Sequence, residues 1–170
     1  MKQIFHIVIL IVAVATQITI VDVLSVKDIS PDLVLIALCF VALRGDRYEL
    51  TALGFLAGLL LDSVGPGILG ANALAKSIAG FLAVTLFSVK SIHHLYELLG
   101  VFTIIALVNS FILHFIIFVG HQSFWALLIS KTLPSLVYTI VLFFIFFFFL
   151  PVSSWKRYRA GGGFDSDLNY

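Results

Sequence analysis

Long apolar runs dominate the chain, and short polar breaks divide them. Ile4 to Leu24 is the first run, and Lys27-Asp28-Ile29-Ser30-Pro31-Asp32 closes it. Leu33 to Leu43 follows, then the turn Arg44-Gly45-Asp46-Arg47-Tyr48-Glu49, then a third run from Leu50 to Leu61. The breaker cluster Asp62-Ser63-Val64-Gly65-Pro66-Gly67 precedes a fourth run, Leu69 to Phe87. Lys90-Ser91-Ile92-His93-His94 makes the next turn, Leu95 to Val119 the fifth run, and Gly120-His121-Gln122-Ser123 its end. A last apolar region begins at Phe124 and stops at Pro151. Within it, Pro134 either kinks one helix or separates a short interfacial helix from a span over Leu133 to Leu150.

A membrane-spanning helix needs about twenty residues, so this pattern predicts an all-α, polytopic bundle of about six transmembrane helices. A β-barrel would alternate polar and apolar residues over segments of about ten, and these runs do not alternate. Runs two and three are short enough to be half-length helices inside the bundle. Full spans whose ends take in Pro31, Asp32 and the polar turn are the preferred reading. Ser30 suits an N-cap, with Pro31 at the first helical position. Apolar character continues beyond Ala13-Val14-Ala15, which favours an uncleaved first span over a signal peptide.

Composition agrees. The 170 residues are 61% hydrophobic and 11% charged, with a mean hydropathy of +1.15. A soluble domain of this size needs more polar surface, whereas lipid accepts an apolar exterior provided backbone groups bond within helices. A net charge of +1 gives no reason to expect nucleic acid. The bundle is expected over residues 1–152, with 153–170 a basic, then Gly-rich cytoplasmic tail without fixed structure. Cytoplasmic loops carry excess Lys and Arg. With six crossings, Lys2, Arg44, Arg47, Lys90, Lys156, Arg157 and Arg159 fall on one side and only Lys27 and Lys131 on the other, so both termini are expected in the cytoplasm. Trp155 and Tyr158 suit the aromatic belt there. The lone Cys39 reads as a small core residue.

Candidate chemistry concentrates between Gly54 and Ala83. Gly54 and Gly58 form a GxxxG pair, which lets a second helix approach closely. Ala71, Ala75, Ala79 and Ala83 repeat every four residues, with Asn72, Lys76 and Gly80 on the adjacent stripe. These faces either pack on one another or receive a partner helix. Gly65, Pro66, Gly67 and Gly70 supply the turn. Charges inside a bilayer face the protein and pair, which suggests an intramembrane Asp62–Lys76 pair backed by Asn72. His114, with Asn109 and Ser110, is expected to bond a neighbouring helix, and His93-His94 to lie in a solvated turn. The phenylalanines from Phe143 to Phe149 read as bulky lipid-facing surface. No metal site or cofactor is expected. Neither a GxSxG nor an HExxH motif occurs and membrane carboxylates are few, which argues against an enzyme.

Between Pro31 and Gly80 the chain resembles the rod shape-determining protein MreD family of bacteria. The resemblance rests on Pro31-Asp32-Leu33-Val34-Leu35, the Arg44-Gly45 turn, the GFLAGLLLD stretch from Gly54 to Asp62, and Leu69-Gly70 with Lys76. It implies a non-catalytic scaffold of the cell-elongation machinery in the bacterial inner membrane, supporting rod shape and lateral peptidoglycan synthesis. The implied partners are MreC through its membrane span, the MreB filament directly or indirectly, and RodA with an elongation-specific penicillin-binding transpeptidase. A homodimer stays open. The family is also distantly similar to the substrate-binding membrane subunits of energy-coupling-factor vitamin transporters, which makes small-molecule binding the alternative function. Gln17, where those subunits want a small residue, counts against it.

Overall fold

The computed structural model describes residues 2–24, 30–65, 67–89, 95–119 and 124–149. They form α1 (Lys2–Leu24), α2 (Leu33–Ala42), α3 (Arg47–Val64), α4 (Ala71–Val89), α5 (Leu95–Phe118) and α6 (Phe124–Phe149), with no strand among them. The tail 153–170, the His93-His94 turn and Pro66 lie outside the described residues.

Polar residues at the breaks set the helix ends. Asp32, not Ser30, is the N-cap of α2, because its carboxylate accepts from the backbone N–H of Leu35 at 2.9 Å. Capping this way satisfies one of the donors that a helix start leaves free. The far end closes where the N–H groups of Arg44 and Gly45 both return to the Val41 carbonyl at 3.0 Å. Asp46 caps α3 through the N–H of Tyr48, and Glu49 places a further negative charge on its first turn. A positive φ of 96° at Gly70 turns the chain into α4.

One expectation changes. At 10 residues, α2 is about 15 Å long, half of a hydrocarbon core of about 30 Å. It is therefore a half-length helix and not a full span. The shortness of the run admitted this reading, but Pro31 and Asp32 look like a surface break and favoured a full span. In contrast, α3 has 18 residues and extends past the Leu50–Leu61 run at both ends. Pro134 does not divide the last region; it lies inside the single helix α6.

Helix α3 packs chiefly on α4, α4 on α5 and α5 on α6, while α1 lies against α2 and α3, and α2 against α4. Leu35, Leu38, Leu50, Phe102, Ile105 and Phe143 are buried at the centre, and Cys39 joins them. Phe143 departs from the lipid-facing reading. Its ring stacks on Phe102 with centroids 3.7 Å apart, while Phe144 and Phe146 point outward. Near the start of α1, His6 Nδ1 lies 2.9 Å from Glu49 Oε1 on α3. At the same end Arg47 reaches Ser88 near the end of α4.

Candidate functional site

The Gly54/Gly58 pair faces α4 within this chain. Positions 50, 54 and 58 on α3 meet positions 80, 76 and 72 on α4, one step of four against another along antiparallel helices. A methyl group added at Gly54 would run into the carbonyl oxygen of Lys76. At Gly58 it would stand 2.6 Å from the Cα of Ala73, and at Gly80 2.9 Å from the carbonyl carbon of Leu50. Backbone touches backbone. Ala71, Ala75, Ala79 and Ala83 are buried, and the last two belong to the core with Leu35, Leu38 and Phe102. The glycines thus meet the Asn72–Lys76–Gly80 stripe, not the alanine stripe. Both faces are occupied inside the bundle, so neither is free to receive a partner helix.

Asp62 lies in the last turn of α3, beneath the start of α4. Its Oδ2 accepts from the N–H groups of Gly70 at 2.9 Å and Ala73 at 3.1 Å. Its Oδ1 accepts from Asn72, both the backbone N–H at 3.2 Å and Nδ2 at 2.9 Å. One carboxylate from the neighbouring helix therefore does the work of an N-cap, with its charge at the positive end of the α4 dipole. Among the turn glycines, Gly70 donates to Asp62, Gly65 donates to the Leu61 carbonyl at 2.9 Å, and Gly67 faces open space. Asp62→Ala would leave these donors unsatisfied. It should destabilise the protein by about 1–2 kcal/mol, read as a lower thermal midpoint in detergent, with Asp62→Asn losing less.

The expected Asp62–Lys76 ion pair is not formed. Asp62 is already saturated by donors from α4, and Lys76 turns the other way. Its Nζ donates to Asp32 Oδ2 at 2.8 Å and to Asn72 Oδ1 at 3.1 Å. Asn72 is the link, donating to Asp62 and accepting from Lys76. Asp62, Asn72 and Lys76 thus lie in one polar chain whose far end is Asp32.

Asp32 is where that chain meets the rest of the bundle. Oδ1 caps α2, and Oδ2 also accepts from Asn109 Nδ2 of α5 at 3.1 Å. Its backbone N–H donates to Thr139 Oγ1 of α6 at 3.0 Å. Beside it, Ser135 donates to the Ser30 carbonyl at 2.9 Å. Gln17 of α1 clasps the same strand of chain, donating to the Pro31 carbonyl at 2.9 Å and accepting from Leu33 N–H at 2.7 Å. Five helices converge on one irregular segment, whose backbone groups would otherwise be unpaired in an apolar medium. Lys76 is 1% exposed and Asn109 1%, so the ion pair lies deep in the bundle. Its attraction offsets two desolvated charges only because each has further hydrogen bonds.

Sequence reasoning missed Asp32, Gln17, Ser135 and Thr139. A signal existed for Asp32, an aspartate directly before an apolar run. For the α6 hydroxyls, four apart on one face, it was weak. His114 also departs from expectation, because its Nδ1 lies 2.8 Å from the Ser110 carbonyl of its own helix and not from a neighbour.

Three helical segments, Ala71–Ser88, Tyr96–Phe118 and Ile129–Phe147, are long and apolar enough to cross a membrane. A bundle built on such helices, with a paired charge network within, is an all-α integral membrane protein. The family described as rod shape-determining protein MreD matches residues 1–152, and the chain belongs to it. It is therefore a rod-shape-determining membrane protein. No curated protein and no solved structure gives a significant match.

Proposed function

We propose that the protein is a non-catalytic membrane scaffold of the cell-elongation machinery, binding the span of MreC and supporting rod shape and lateral wall synthesis. The observation that carries this reading is that the tight-packing faces and the ion-paired charges are all satisfied within the chain. A carboxylate that caps a neighbouring helix and a lysine ion-paired to a third element hold helices together, which is the work of a scaffold. What the bundle offers outward is helix surface. Among the described residues α1 packs chiefly on α2 and α3 and leaves Ile4, Val8 and Ile11 exposed, which is where the MreC span docks in this proposal.

Both termini lie in the cytoplasm in the same reading. Support comes from the gathering of Arg44 and Arg47 with the starts of α1 and α3 and the end of α4, since cationic ends stay inside. Residues 1–152 are the working bundle, and the basic segment Lys156 to Arg159 adjoins the cytoplasmic filament, MreB.

Depletion in the native cell tests the function: rods should round up, and a vitamin requirement without rounding would overturn the proposal in favour of transport. For the docking face, replacing Val8 and Ile11 by tryptophan should cut co-purification with MreC while the thermal midpoint holds. Unchanged recovery would move the interface off α1.

A further inference from the structure

We propose that a water-filled recess enters the bundle from its outer end and reaches the Asp32–Lys76 pair, so that small polar solutes meet this charge network inside the membrane. The first observation is depth. Gln17 holds residues 31 and 33, and it sits seven residues before the end of α1 at Leu24. The start of α2 is thus about 10 Å below the end of α1, level with the last turn of that helix's apolar stretch, which ends at Thr19.

The second observation is exposure at that depth. Gln17, Ser30 and Ser135 are each partly exposed, and the Asp32 side chain is 17% exposed although its partner Lys76 is 1%. Gln17, Asp32 and Ser135 already bond within the chain, but the polar surface that they and Ser30 still expose would go unsolvated against acyl chains. Facing water, it is solvated.

The third observation lies at the inner end of that opening. Asn109 Oδ1 is buried and has no hydrogen-bond partner among the described residues, while the other atom of the same amide holds Asp32. An ammonium has three N–H donors, and Asp32 and Asn72 take two of those on Lys76. A free acceptor and a free donor therefore flank one carboxylate oxygen. A water molecule accepting from Lys76 and donating to Asn109 satisfies both, which meets the two-partner minimum for a stable buried water. The recess takes water and solutes of similar hydrogen-bonding character, not apolar ligands.

Thiol accessibility decides the matter. Single cysteines at Ser30, Ser135 and Val137 are introduced into a Cys39→Ala background, and the full chain is embedded in nanodiscs, where both faces meet the reagent. Ser135 and Val137 are two residues apart on α6 and point to opposite sides of it, and Val137 is 57% exposed. A charged methanethiosulfonate should modify Ser30→Cys and Ser135→Cys at least about tenfold faster than Val137→Cys, since thiol reactivity follows access to water. If all three react slowly, the recess is dry; if all three react fast, that level lies outside the hydrocarbon. Either result overturns the proposal. Should the Ser135 variant not fold, transfer of magnetisation from water to the Asn109 side-chain amide in the unmutated protein reads the same site. Absence of transfer also overturns it.

Discussion

Gly58→Leu should abolish accumulation of the folded protein, whereas Leu60→Ala, two residues along the same helix, should be tolerated. At Gly58 even a methyl group meets the Asn72 carbonyl and stands 2.6 Å from the Cα of Ala73, and backbone atoms cannot rotate aside. A leucine must push α3 and α4 apart over their whole contact, separating Asp62 from the N–H groups it caps. Overpacking alone costs about 1–3 kcal/mol, and loss of the cap adds about 1–2 kcal/mol. Together these approach the total stability of a small domain, about 5–15 kcal/mol. Leu60 is 51% exposed, so its truncation removes only outward-facing surface. Fluorescence-detected size exclusion of tagged variants reads both outcomes. A monodisperse Gly58→Leu with an unchanged thermal midpoint would refute the close approach.

The second large effect is expected at Lys76. Lys76→Met leaves Asp32 ionised without its cation in the interior, at a cost of about 3–5 kcal/mol. Asp32→Asn strands Lys76 in the same way. Combining Lys76→Met with Asp32→Asn should restore much of the loss, because an uncharged pair of similar volume is tolerated where one bare charge is not. The coupling in that double-mutant cycle should exceed about 1.5 kcal/mol. The corresponding cycle between Asp62 and Lys76 should give a markedly smaller coupling, since Asn72 stands between them. Equal coupling in both cycles would contradict the hydrogen-bond pattern around Asp32. Thermal unfolding in one detergent, at one pH and salt concentration, is the measurement.

Much of the framework was legible because hydrophobic runs and their breaks report directly on burial in lipid. The boundaries of α4 and α5 follow from the runs Leu69 to Phe87 and Leu95 to Val119 to within two residues, whereas the single helix α6 starts at Phe124 and not at Leu133. That Gly54, Gly58, Asp62, Asn72 and Lys76 lie at contacts between helices was legible too, since small and polar residues in apolar runs need a neighbour. Who pairs with whom was not. Lys76 is 14 positions from Asp62 but 44 from Asp32, and proximity in sequence favoured the wrong partner. Asp32 stood among Lys27, Asp28 and Ser30, so it looked like loop. Only the fold reveals that the chain turns back into the bundle before α2 begins. Phe143 is a similar case, because a run of phenylalanines has no periodicity to tell the one facing inward from its neighbours.

The fourfold match between α3 and α4 also restricts how the bundle can move. Glycine and carbonyl alternate like teeth, so displacement by one residue along the axis would bring side chains against main chain. The next compatible setting is a full step of four residues, about 6 Å away, and Asp62 cannot follow α4 that far. Sliding of these two helices is therefore blocked. Any change of shape transmitted through this protein must come as rocking of its outer helices about a stiff central pair.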